Sequence, residues 1–126
     1  MKLQFLADGS QDCPLIRMYD FNEEEVVRLK RLFGLLADRS ATSVKLHEQA
    51  GIEPIDGCQL NLQVGKRNTG VVRRGTSTFE CSLTSERWSD VASLAEPFCA
   101  VAEAGTCQWL NEDGEISLLL SPKGGW

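Results

Sequence analysis

Phe21-Asn22-Glu23-Glu24-Glu25-Val26 and Leu83-Thr84-Ser85-Glu86-Arg87-Trp88 are two versions of one helix entry, a constant 62 positions apart (22 to 84, 26 to 88). Asn22 and Thr84 are N-cap residues, whose side-chain oxygens accept from an N–H group of the first helical turn. The apolar residue before each cap can pack on the apolar residue four positions beyond it, Phe21 on Val26 and Leu83 on Trp88. Glu25, three residues after Asn22, completes a capping-box pattern, and Glu23 and Glu24 favour the positive end of the helix.

Outward from these entries, apolar spacing close to 3.6 residues predicts a first helix over 23–38, with the stripe Val26, Leu29, Leu32, Phe33 and Leu36. A second is predicted over 85–104, with the stripe Trp88, Val91, Ala95, Phe98 and Ala102. Pro97 predicts a kink or break near Leu94 to Pro97, and Gly105 a stop.

Strands are predicted at 3–7, 15–21, 43–48, 58–64, 78–83, 106–110 and 116–120. The run 15–21 is apolar at most positions and suits a central strand. Asn68-Thr69-Gly70 reads as the turn of a hairpin that folds Val71-Val72-Arg73 back on 58–64. Residues 15–65 and 78–121 then share a β-α-β-β order, the first with a longer loop at 49–57. The expectation is one α+β domain over 1–126, with a mostly antiparallel sheet of about six to eight strands, two helices on one face, and a tandem pseudo-repeat. This element order resembles that of the glyoxalase and bleomycin-resistance superfamily and of gyrase-inhibitor-like ligand binders. The resemblance rests on element order and carries over no functional residue.

The chain has 126 residues, 42% hydrophobic and 25% charged, with a net charge of −5. That composition suits a globular protein and argues against disorder. The apolar stretch within residues 1–8 is too short and interrupted for a signal peptide, and no later run could span a bilayer, so the expected location is the cytoplasm, away from membranes. Five cysteines, an odd number without CxxC pairing, fit neither a zinc site nor a disulfide framework. Cys58, Cys81, Cys99 and Cys107 fall on apolar stripes, leaving Cys13 as the expected exposed thiol.

Charge is unevenly placed. No acidic residue occurs from Gly57 to Phe79, a stretch that holds Lys66, Arg67, Arg73 and Arg74. These four form the candidate partner- or anion-binding set, since arginine pairs bidentately with carboxylate or phosphate. The competing reading is a solvated turn paired with the acidic body. Nucleic acid is disfavoured by the negative net charge and by the lack of interleaved aromatics. Ile52 and Ile55, in a loop without periodic burial, are candidate partner contacts or caps on the core.

His47 is the lone histidine. With Lys45, Gln59, Asn61, Gln63, Glu80, Ser82, Gln108 and Ser117 it is assigned to the wet side of the sheet. A His47–Glu80 pair offers an alternative ligand or acid–base site. No nucleophile elbow, Walker loop, metal set or cofactor motif is present. The functional expectation is therefore a non-catalytic adaptor that engages another protein through the basic hairpin and adjacent loop. The alternatives are a small-molecule binder or enzyme between the half-repeats, and a homodimer across the polar face.

Overall fold

The computed structural model describes residues 1–100 and 106–126. The expected end of the second helix at 101–104 and its stop at Gly105 lie outside the described residues. The strands are β1 (Lys2–Leu6), β2 (Leu15–Tyr19), β3 (Ser43–Lys45), β4 (Glu53–Pro54), β5 (Gln59–Val64), β6 (Gly70–Arg73), β7 (Thr78–Leu83), β8 (Gln108–Asn111) and β9 (Ser117–Ser121). The helices are α1 (Glu23–Ala37) and α2 (Ser85–Ala100).

The protein is α+β, but its strands form two mixed sheets in place of the expected single antiparallel one. One has five strands in the order β4-β1-β2-β9-β8, and the other four in the order β3-β5-β7-β6. β2 lies parallel to β9 and β5 parallel to β7, while the β1–β2, β8–β9, β3–β5 and β6–β7 pairs are antiparallel. Each sheet therefore takes strands from both halves of the chain. Neither 15–65 nor 78–121 makes a sheet of its own.

The expected hairpin between 58–64 and 71–73 is corrected by the same pairing. β7 sits between β5 and β6. Phe79, Cys81 and Leu83 are fully buried, which suits β7 to an interior place, and the four-residue β6 takes the edge. The hairpin that exists joins β6 to β7 and brings Arg73 opposite Phe79.

Both helix entries form as their sequences dictate. Asn22 and Glu25 make a reciprocal capping box, with bonds of 3.0 and 3.2 Å. Thr84 Oγ1 accepts from the Arg87 N–H at 3.2 Å. Helix α2 continues through Pro97. The helices pack side by side, with Phe33 stacked on Trp88 at 5.8 Å between ring centroids. One hydrophobic core contains residues of both helices and both sheets, among them Met18, Phe33, Leu62, Trp88 and Leu118.

Local departures have local causes. The strand expected over 43–48 ends at Lys45, and 46–48 form a 3₁₀ turn that buries Leu46. Trp109, expected in the core, is half-buried, and Leu110 is buried in its place. An irregularity in the β8–β9 register between Trp109 and Asn111 accounts for this, since an extra residue reverses the alternation of faces. The C-terminal residues fold back on the outer side of the five-stranded sheet. Arg17 Nη1 donates to the Gly124 carbonyl at 2.7 Å, and Trp126 Nε1 to Asp12 at 3.2 Å.

Candidate functional site

Antiparallel pairing in β6–β7 sets Arg73 at the last position of the edge strand, where the turn to β7 begins. Its Nε donates to the Gly75 carbonyl at 3.0 Å and its Nη2 to the Thr76 carbonyl at 2.7 Å. The guanidinium lies over the rings of Phe5 and Phe79, 5.1 and 5.8 Å from their centroids. Those rings are themselves in contact, with centroids 4.6 Å apart. The planar cation thus covers an aromatic pair while two of its donors brace the hairpin.

Ile55 and Cys58 come against this end of the sheet from the 49–58 segment. Together with Phe5, Arg73, Thr76 and Phe79 they line a groove of about 280 Å³, which the exposed carboxylate of Asp56 also borders. The loop and the hairpin, separate candidates in the sequence, meet here. Ile55 is half-buried, while Ile52 packs against the core and lines a different cavity.

The four cations do not act together. Lys66 and Arg67 precede the first residue of β6 and Arg73 and Arg74 follow from its last, a separation of about 10 Å along a four-residue strand. The Lys66–Arg67 loop is tied instead to the start of α2, where Asn68 Oδ1 accepts from the Thr84 N–H at 3.0 Å and its hydroxyl at 3.1 Å. Arg74 Nε donates to Glu80 at 2.8 Å.

That ion pair changes the setting of the His47–Glu80 alternative. Both residues line one shallow depression of about 190 Å³ on the polar side of the four-stranded sheet. Glu80 is engaged by Arg74, and His47 Nδ1 accepts from the Leu60 N–H at 3.1 Å. Lys45, Asn61, Gln63 and Ser82 share the β3, β5 and β7 strands with this depression, whereas Gln108 and Ser117 belong to the other sheet. Among the described residues, no group of three His, Cys, Asp or Glu side chains is placed to hold a metal ion. Nor is any described helix long and apolar enough to cross a membrane.

Sequence reasoning missed Phe5 and Phe79 as partners of Arg73. Phe79 had a signal in the alternation of 78–83, but Phe5 reaches the site only through the packing of the two sheets. It also misjudged two thiols: Cys107, placed on an apolar stripe, is exposed, and Cys13, expected to be exposed, is half-buried.

Burial pushes Cys58 up to about 11 and Cys81 up to about 12. Both should resist iodoacetamide at pH 8 in the native protein, whereas Cys13 and Cys107 should label, as mass mapping would show. Because these folded-state values lie above the ordinary thiol value of 9.0, stability is fully present below pH 9. It should fall as pH rises towards 11 and 12, where the unfolded chain has released protons that the folded one keeps. A urea midpoint unchanged across that interval would contradict the burial of both thiols.

Comparison with protein-family models, curated proteins and solved structures finds no match to this chain.

Proposed function

We propose that this chain is a non-catalytic binding module of the cytoplasm that holds an acidic segment of another protein in the groove between the β6–β7 hairpin and the 49–58 segment. One observation carries the reading: the groove joins an apolar floor of Phe5, Phe79 and Ile55 to the Arg73 guanidinium. A peptide with an apolar residue beside a carboxylate matches both parts. The side chain would enter against Ile55 and the aromatic pair, and the carboxylate would meet the outer edge of Arg73. Bracing of Arg73 by the hairpin carbonyls holds the cation in place before the partner arrives, which lowers the entropy lost on binding. The half-repeat reading belongs to the same proposal, with 15–65 supplying the loop and 78–121 the facing strand β7.

A random-peptide display selection tests this. Enriched peptides should combine Asp or Glu with a large apolar residue. Their affinity should fall about tenfold or more in Thr76→Glu, which places a like charge on the exposed rim without touching the core. Arg73→Gln should weaken the same peptides. Enrichment of peptides without acidic residues, or affinity that survives Thr76→Glu at an unchanged melting temperature, would refute the proposal.

One observation favours a second reading, a small-molecule site over His47 and Glu80. Asn61, which lines that depression, has a buried Oδ1 with no hydrogen-bond partner among the described residues. A polar atom in that state is costly and favours a donor supplied from outside after a small side-chain movement. Stabilisation by a metabolite in a thermal screen, lost in His47→Ala, would support this second reading.

A further inference from the structure

A separate cavity of about 200 Å³ lies between the N-terminal part of α1 and the turn at 49–52. Its floor is apolar, made by Leu29, Leu32 and Ile52. Arg28 and Arg31 stand at it one helical turn apart, and neither has an ion pair or hydrogen bond among the described residues. Glu25 is the one carboxylate among the lining residues, and it is taken up by the Met1 ammonium, which also donates to the Gly51 carbonyl at 2.9 Å. Two uncompensated cations therefore face an apolar hollow.

The position of Arg28 depends on the residue across from it. Gly51 has φ of +83°, and a Cβ there would come 3.3 Å from Arg28 Nη2. Glycine lets the turn bend back and leaves space for the guanidinium over it. We propose that this cavity binds a small carboxylic acid with a short aliphatic tail, the carboxylate between Arg28 and Arg31 and the tail on Leu29, Leu32 and Ile52. Guanidinium groups take a carboxylate through paired N–H donors, and the floor rewards each methylene removed from water. At about 30 Å³ for each water-sized group, the volume suits a molecule of about seven such groups. This site is independent of the groove at Arg73, and either proposal can fail without the other.

Hexanoate is the probe, with hexan-1-ol and hexylamine as matched controls. Titration to about 10 mM, followed by amide chemical shifts, should give saturable changes at Leu29, Gly51 and Ile52 with hexanoate. Hexanol should bind at least about tenfold more weakly, and hexylamine should not bind. Arg28→Gln with Arg31→Gln should weaken hexanoate by about tenfold or more. Ala50→Trp, at an exposed position on the rim, should block binding while leaving the remaining spectrum in place. The proposal is overturned by the absence of saturable shifts, by hexanol binding as tightly as hexanoate, or by hexanoate binding that survives both the double substitution and Ala50→Trp.

Discussion

Trp88→Ala is expected to destabilise the protein by about 3–5 kcal/mol, the range for truncating a large buried aromatic. Trp88 is fully buried and stacks on Phe33, so its removal leaves a cavity between the two helices. A second cost adds to the first. Trp88 Nε1 donates to the Gln63 carbonyl at 3.0 Å, tying α2 to the end of β5, and alanine leaves that acceptor without this donor. Trp88→Phe separates the two contributions, since it retains much of the stack and loses only the indole donor. Chemical denaturation should rank the variants wild type, Trp88→Phe, Trp88→Ala. A loss below about 1 kcal/mol in Trp88→Ala would mean that the helix pair is not packed through this residue.

Gly70→Ala should cost about 3 kcal/mol or more, although it adds a single methyl group. Gly70 opens β6 with φ of +81°, a conformation that L-residues avoid, and its Cβ would lie 2.1 Å from the Asp113 carbonyl oxygen. Backbone cannot yield at that distance as a flexible side chain would. The edge of the four-stranded sheet would have to move away from the β8–β9 turn, weakening the bridge between Val71 and Ile116 that links the sheets. Gly34→Ala is the contrasting substitution. A Cβ at Gly34 meets nothing within 4 Å, and this glycine lies inside α1, so alanine should stabilise by about 0.5–1 kcal/mol. Opposite signs for the two substitutions in one denaturation series would verify both environments. Equal effects would refute the close approach at Gly70.

The features legible beforehand are those whose determinants are close in sequence. Asn22 and Glu25 are three residues apart, and nothing distant is needed to make their reciprocal bonds. The stripes on α1 and α2 followed from helical spacing, and Leu60, Leu62, Phe79 and Cys81 from alternation. The failures share the opposite property. Asn68-Thr69-Gly70 contains good turn chemistry, and turn chemistry alone does not reveal that β7 will occupy the place beside β5. Trp109 obeys the alternation until the register irregularity at Asn111 reverses it.

For the candidate site the division is sharper. The cluster of positive charge was visible in the sequence, yet grouping by sequence distance joined Lys66 and Arg67 to Arg73 and Arg74 across a strand that holds the pairs apart. Arg73 acquires its partners from β1 and β7, and Arg74 acquires Glu80. The isoleucines of the loop part company for the same reason, Ile55 going to the Arg73 groove and Ile52 to the cavity beside Met1.

The sequence by itself determined the two helix starts, most of the longer strands and most of the residues that avoid water, because capping and amphipathic spacing are short-range properties of the chain. Only the tertiary structure decided that the strands divide into two mixed sheets, and that Arg73 lies over Phe5 and Phe79 while Arg28 and Arg31 stand over an apolar hollow. Pairing between distant strands is chosen by the burial available to the whole chain, and cavities arise where that packing leaves off.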